Sequence, residues 1–127
     1  MTLYVTPAMM HEAYRLLCTT PPFKRWRLPR AGDVLMVVTR DPNCYGAYRE
    51  PGPSRRMSWG SIPDSQHVIE ISARNVGSLP VLLAKMAHEV VHMRDWILGE
   101  RKAHHGARFH RLADQVCRHH SFDRRAF

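Results

Sequence analysis

Apolar residues recur along this chain with two different periods, and the changes of period mark its elements. Behind Thr6, a natural N-cap, and Pro7, tolerated in a first turn, Met9, Met10, Ala13, Tyr14 and Leu17 fall at helical spacing. They predict a first helix that ends before Pro21-Pro22. Val34 to Thr39 is a continuous apolar run, long enough for a buried strand and too short for a helix. Asp41-Pro-Asn43 turns the chain, Tyr45 to Arg49 can form a second strand, and Pro51 to Ser54 reads as a loop with Arg55 and Arg56 at its far end. His67 to Ser72 places Ile69 and Ile71 on one face of a third strand. A longer helix follows, with Ser78 as cap, Pro80 in the first turn, and Leu83, Met86, Val90 and Ile97 at helical spacing. Gly99 breaks it. After a polar connection, Phe109, Leu112, Ala113, Val116 and Cys117 define the buried stripe of a last helix. Ser121 to Phe127 is basic and is expected to fray. The order predicts a compact α+β domain: an N-terminal helix, a small three-stranded sheet, a long helix and a C-terminal helix. Its 127 residues suit a single domain with a core from about 6 to 120.

The long helix carries His88-Glu89-Val-Val-His92, an H-E-x-x-H segment. Positions four apart share a helix face one turn apart, so His88 and His92 can aim at a single metal ion. Glu89 is offset from them, which puts its carboxylate beside the ion, where it can take a proton from an activated water. His11-Glu12 looks like the start of a second such segment, but the position four beyond His11 is Arg15, which cannot ligate a cation.

A catalytic zinc usually has three protein ligands, so a third must come from elsewhere in the chain. Glu100 lies eight residues past His92, too far along a continuing helix unless Gly99 reverses the chain. Asp114, on the polar face of the last helix, is a second choice. His105 is the first, because it stands just before Gly106 at the opening of that helix, where the stripe beginning at Phe109 fixes the backbone; His104 is its immediate neighbour. For an oxyanion, His104, His110 and Tyr45 are candidate donors.

The pattern His88-Glu89-x-x-His92, then His105-Gly106-x-x-Phe109, resembles the SprT-like zinc metallopeptidases. The likeness extends to Ile69-x-Ile71-Ser72 before the motif helix and is specific over residues 67–110. It implies a zincin-like domain with zinc on His88, His92 and His105, Glu89 as the catalytic residue, and peptide or protein substrates. The cysteine-rich zinc ribbon of many members has no counterpart within these residues.

Composition adds partners and compartment. Lys and Arg number 19 against 11 acidic residues, a formal charge of +8, which favours polyanions, including non-specific contact with DNA, or serves solubility alone. Cys18, Cys44 and Cys117 are odd in number and widely spaced, which argues against a disulfide framework. With no apolar run of membrane-spanning length, the expectation is a soluble, cytoplasmic protein without membrane partners. Two rival readings stand beside the peptidase: a basic nucleic-acid-binding module with a structural zinc, and an inactive protease scaffold. Structural zinc is usually enclosed by four ligands, often cysteines, whereas here the candidates are histidines beside a glutamate.

Overall fold

The computed structural model describes residues 2–127. Three α-helices and two small sheets form a mixed α+β architecture. Helix α1 (Pro7–Cys18) starts as its sequence dictates: Thr6 Oγ1 accepts from Met9 N at 3.2 Å and Pro7 opens the first turn. Strands β1 (Val34–Thr39) and β2 (Gly46–Arg49) follow, then a short hairpin of β3 (Arg55–Met57) and β4 (Gly60–Ile62), then β5 (His67–Ser72). Helices α2 (Leu79–Ile97) and α3 (Ala107–His120) complete the chain.

The last strand in sequence is the central strand of the main sheet. β5 pairs in parallel with β1, Val34 opposite His67, and antiparallel with β2, Gly46 opposite Ile71. Val68, Ile69 and Ile71 are fully buried on this strand, which accounts for its near-continuous apolar run. Helix α2 runs through the middle of the molecule and packs against α1, α3, β2 and β5. Met86, Ala87, Val90, Val91 and Met93 are wholly shielded from solvent. Two periodic positions behave otherwise: Leu83 is half-buried and Ile97 is exposed at the helix end. Trp26 covers the core edge, packed edge-on against Phe23, so it offers no stacking face to a base.

Two expectations need correction. The segment after Ser54 is not only loop, since the β3–β4 hairpin occupies 55–62. The tail does not fray either. Phe122 and Phe127 pack against the core, Arg124 Nε pairs with Asp114 Oδ1 at 2.6 Å, and Lys85 Nζ on α2 donates to Ala126 O at 2.6 Å. Two aromatic rings and these polar contacts outweigh the chain entropy of a short segment. Among the described residues, no helix is long and apolar enough to cross a membrane.

Candidate metal centre

Helix α2 presents His88 and His92 one turn apart, and a tight reversal brings the third histidine back to them. At the end of α2, Gly99 N donates to Trp96 O and Glu100 N to Asp95 O, the paired bonds of a Schellman cap. Gly99 has φ +108°, a conformation that a side chain would disfavour. The chain then doubles back through a turn held by one carboxylate: Glu100 Oε1 accepts from Arg101 N (3.1 Å), Lys102 N (2.8 Å) and Ala103 N (2.7 Å). Glu100 therefore shapes the connection and does not reach the histidines. His105 emerges from it with its Nε2 3.1 Å from His92 Nε2.

One nitrogen from each of His88, His92 and His105 lies within 4.8 Å of the others, the one such group of three potential ligands among the described residues. Phe109, the first buried residue of α3, packs against all three rings, with centroid separations of 5.2, 4.4 and 4.5 Å. His104 stacks on His92 at 4.6 Å but stays outside the group. Asp114 is exposed and engaged by Arg124. Of the other candidate donors, His110 Nδ1 contacts Arg124 Nη2 at 2.8 Å, and the exposed Tyr45 ring lies 4.3 Å beneath Lys85 Nζ.

These nitrogens suit a metal ion on two counts. Zinc–nitrogen bonds of about 2.0–2.1 Å set two tetrahedral donors about 3.3 Å apart, close to the His92–His105 separation. Burial lowers the pKa of His88 to about 4 and of His92 to about 3, with repulsion from neighbouring imidazoles adding to it. His105 is lowered too, mainly by burial. Neutral rings keep the lone pairs a metal requires.

Glu89 points away from solvent, 4 % exposed, on the side of α2 facing the sheet. Burial raises its pKa to about 8, opposed by Lys85 and Arg49 and reinforced by Glu70. Glu70 in turn accepts from Arg49 Nε at 2.6 Å. β2 approaches this carboxylate through a glycine: a Cβ at Gly46 would lie 2.5 Å from Glu70 O and 3.4 Å from Glu89 Oε2. Neither Gly46 nor the Arg49–Glu70 pair stands out in the sequence as part of a site.

Phe127 is another unforeseen neighbour, its ring centroid 5.2 Å from that of His88. Asp95 shares the helix face of the ligands, a relation carried by the spacing alone, since 88, 92 and 95 stand at i, i+4 and i+7. Comparisons with family models, curated proteins and solved structures gave no match to this chain.

Proposed function

We propose that this chain is a zinc-dependent metallopeptidase of the SprT-like, zincin type. The observation that carries the reading is the convergence of three neutral imidazoles, from α2 and the α2–α3 connection, with a buried glutamate one position from the first of them. His88, His92 and His105 would hold the ion, and three nitrogen donors leave a coordination position open. A bound zinc would supply Lewis acidity, making water nucleophilic near neutral pH and polarising a carbonyl.

The chain's own residues account for the rest. Glu89 takes the proton of the attacking water and returns it to the departing amine. Burial raises its pKa and so favours the protonated form that returns a proton, while a cation held by the neighbouring histidines would favour the carboxylate that accepts one. Phe109, packed against all three rings, shields one side of them from bulk water and strengthens the electrostatics there.

The charge distribution favours substrates held on nucleic acid. Lys24, Arg25, Arg27, Arg30, Arg56, Arg118 and Arg125 are exposed. Arg25 and His119 line one shallow cavity of about 360 Å³, so the basic stretch after α1 and the end of α3 share a face. The rival of a structural zinc fits less well, because His105 is exposed and the three donors are not closed by a fourth.

Glu89→Gln tests the proposal. The variant is expected to bind zinc as the parent does and to lose cleavage of an unfolded protein by about a hundredfold or more. Cleavage at the parent rate by a purified, zinc-loaded Glu89→Gln protein would refute it.

A further inference from the structure

Asp95 shares a helix face with His88 and His92, yet it has no part in holding a metal. It is 3 % exposed, and its Oδ1 is buried without a hydrogen-bond partner. Arg108 Nε on α3 comes to 4.0 Å, beyond hydrogen-bond range, while Arg108 Nη1 is taken by Leu98 O at 2.7 Å. Asp95 thus has Arg108 at ion-pair distance but no hydrogen-bond donor on its Oδ1, and a buried carboxylate oxygen without a donor costs stability. Such a group is retained at less cost if its partner arrives from outside.

Asp95 lies in the wall of a cavity of about 200 Å³ that His92 and His104 also line, with Tyr48, Trp96 and Glu50. Two cations line it as well. Arg101 is committed to its own connection: Nη1 donates to Trp96 O at 2.7 Å and to Glu100 O at 3.0 Å, and the guanidinium lies 4.2 Å over the Trp96 ring. Lys102 is exposed and has no ion pair within the described residues.

The space suits one long side chain, since a cavity of about 150 Å³ is enough to admit benzene. Tyr48 and Trp96 supply aromatic surface for a methylene stem, and a carboxylate whose Oδ1 has no hydrogen-bond donor supplies the counter-charge for its tip. Lysine and arginine combine those two properties.

The geometry points to a substrate pocket in which Asp95 receives the cationic tip of a lysine or arginine side chain adjoining the scissile bond. This rests on the peptidase reading, which places the peptide at His92. Glu50 and Glu100 add negative charge to the same cavity, partly offset by Arg101 and Lys102 in its wall. Glutamate at that substrate position is correspondingly disfavoured.

The test gives the zinc-loaded protein peptides that differ at one position on either side of the cleaved bond, carrying lysine, arginine, ornithine, norleucine or glutamate. Fluorescence anisotropy measures the affinity of Glu89→Gln protein for the same peptides. Lysine or arginine is expected to exceed norleucine by about tenfold in kcat/KM at one of these positions, the worth of a charged hydrogen bond. In Asp95→Asn that ratio is expected to fall below about twofold.

Asp95→Glu keeps the charge and fills part of the cavity, so its preference should move from lysine to the shorter ornithine. Equal cleavage of lysine and norleucine peptides by the wild type overturns the pocket and leaves the peptidase standing. An unchanged ratio in folded Asp95→Asn, or no shift toward ornithine in folded Asp95→Glu, overturns it too. No cleavage at all, with tighter binding of lysine peptides to the Glu89→Gln protein, sinks the peptidase reading and supports the pocket.

Discussion

His88 and His92 stand on a helix clamped by the core, whereas His105 stands on the exposed connection between α2 and α3. Around the first two, Met86, Ala87, Val90, Val91 and Met93 are completely buried, so neither ring can move without disturbing the packing of the whole molecule. The third is set by local bonds: the Glu100 carboxylate gathering three backbone N–H groups, the Gly99 reversal and the Phe109 ring beneath. Geometry at the helix is thus inseparable from global stability. Geometry at the connection can be changed almost independently of it.

The largest effects should come from removing the rings. His88→Ala, His92→Ala and His105→Ala are each expected to abolish stoichiometric zinc in metal analysis of dialysed protein, while His104→Ala and Asp114→Asn keep it. The metal-free proteins should then divide. His92→Ala loses about 1–3 kcal/mol in urea unfolding because it opens space beside Phe109. His105→Ala stays within about 0.5 kcal/mol of the parent. Full zinc occupancy in His105→Ala, with loss in Asp114→Asn, would move the third ligand to a carboxylate on α3.

Substitutions behind the ligands sharpen the same contrast. Met86→Ala is expected to cost about 2–5 kcal/mol of stability. Glu100→Ala should cost under about 1 kcal/mol but weaken zinc binding by about tenfold to a hundredfold, because the turn that aims His105 loses its anchor. Similar losses of stability in both variants would erase the distinction between the two regions.

The acid response of the metal-free protein tests the same contrast without any change of packing. His88 and His92 are held neutral when folded, whereas in the unfolded chain they take up protons below about pH 6.5. The unfolded state then binds more protons, so stability falls as pH drops from 6.5 toward 4, by at most about 1.4 kcal/mol per pH unit for each ring. Above pH 6.5 neither contributes to the slope. The curve for His105→Ala is expected to be shallower by the contribution of that ring, whose pKa is also lowered, and a flat parent curve between pH 7 and 5 would contradict the buried, neutral pair.

What the sequence disclosed and what it withheld divide along the same physical line. Both caps, Thr6 and Ser78, and the long apolar runs were legible because propensity and burial agree there. The H-E-x-x-H spacing carries its own geometry. The β3–β4 hairpin was not legible, since each strand has three residues, too few for alternation, and of the six only Ile62 is buried. The tail was misread because Phe122 and Phe127 sit among charges and gain their partners only in three dimensions. Glu100 was weighed as a ligand on distance along a helix, but the reversal at Gly99 turns its carboxylate toward backbone N–H groups that have no other acceptor.

The strand order also fixes when the molecule can assemble. β1 and β2 bond to β5 and not to each other, so nothing in the main sheet can pair until β5 is available. Val34 must wait for His67, and the intervening loop has to close before its first contact brings any return. A nascent chain emptied from the ribosome only as far as Pro63 would hold α1, the β3–β4 hairpin and two main-sheet strands without a partner. The arrival of β5 joins both in one step, immediately before α2 emerges behind it.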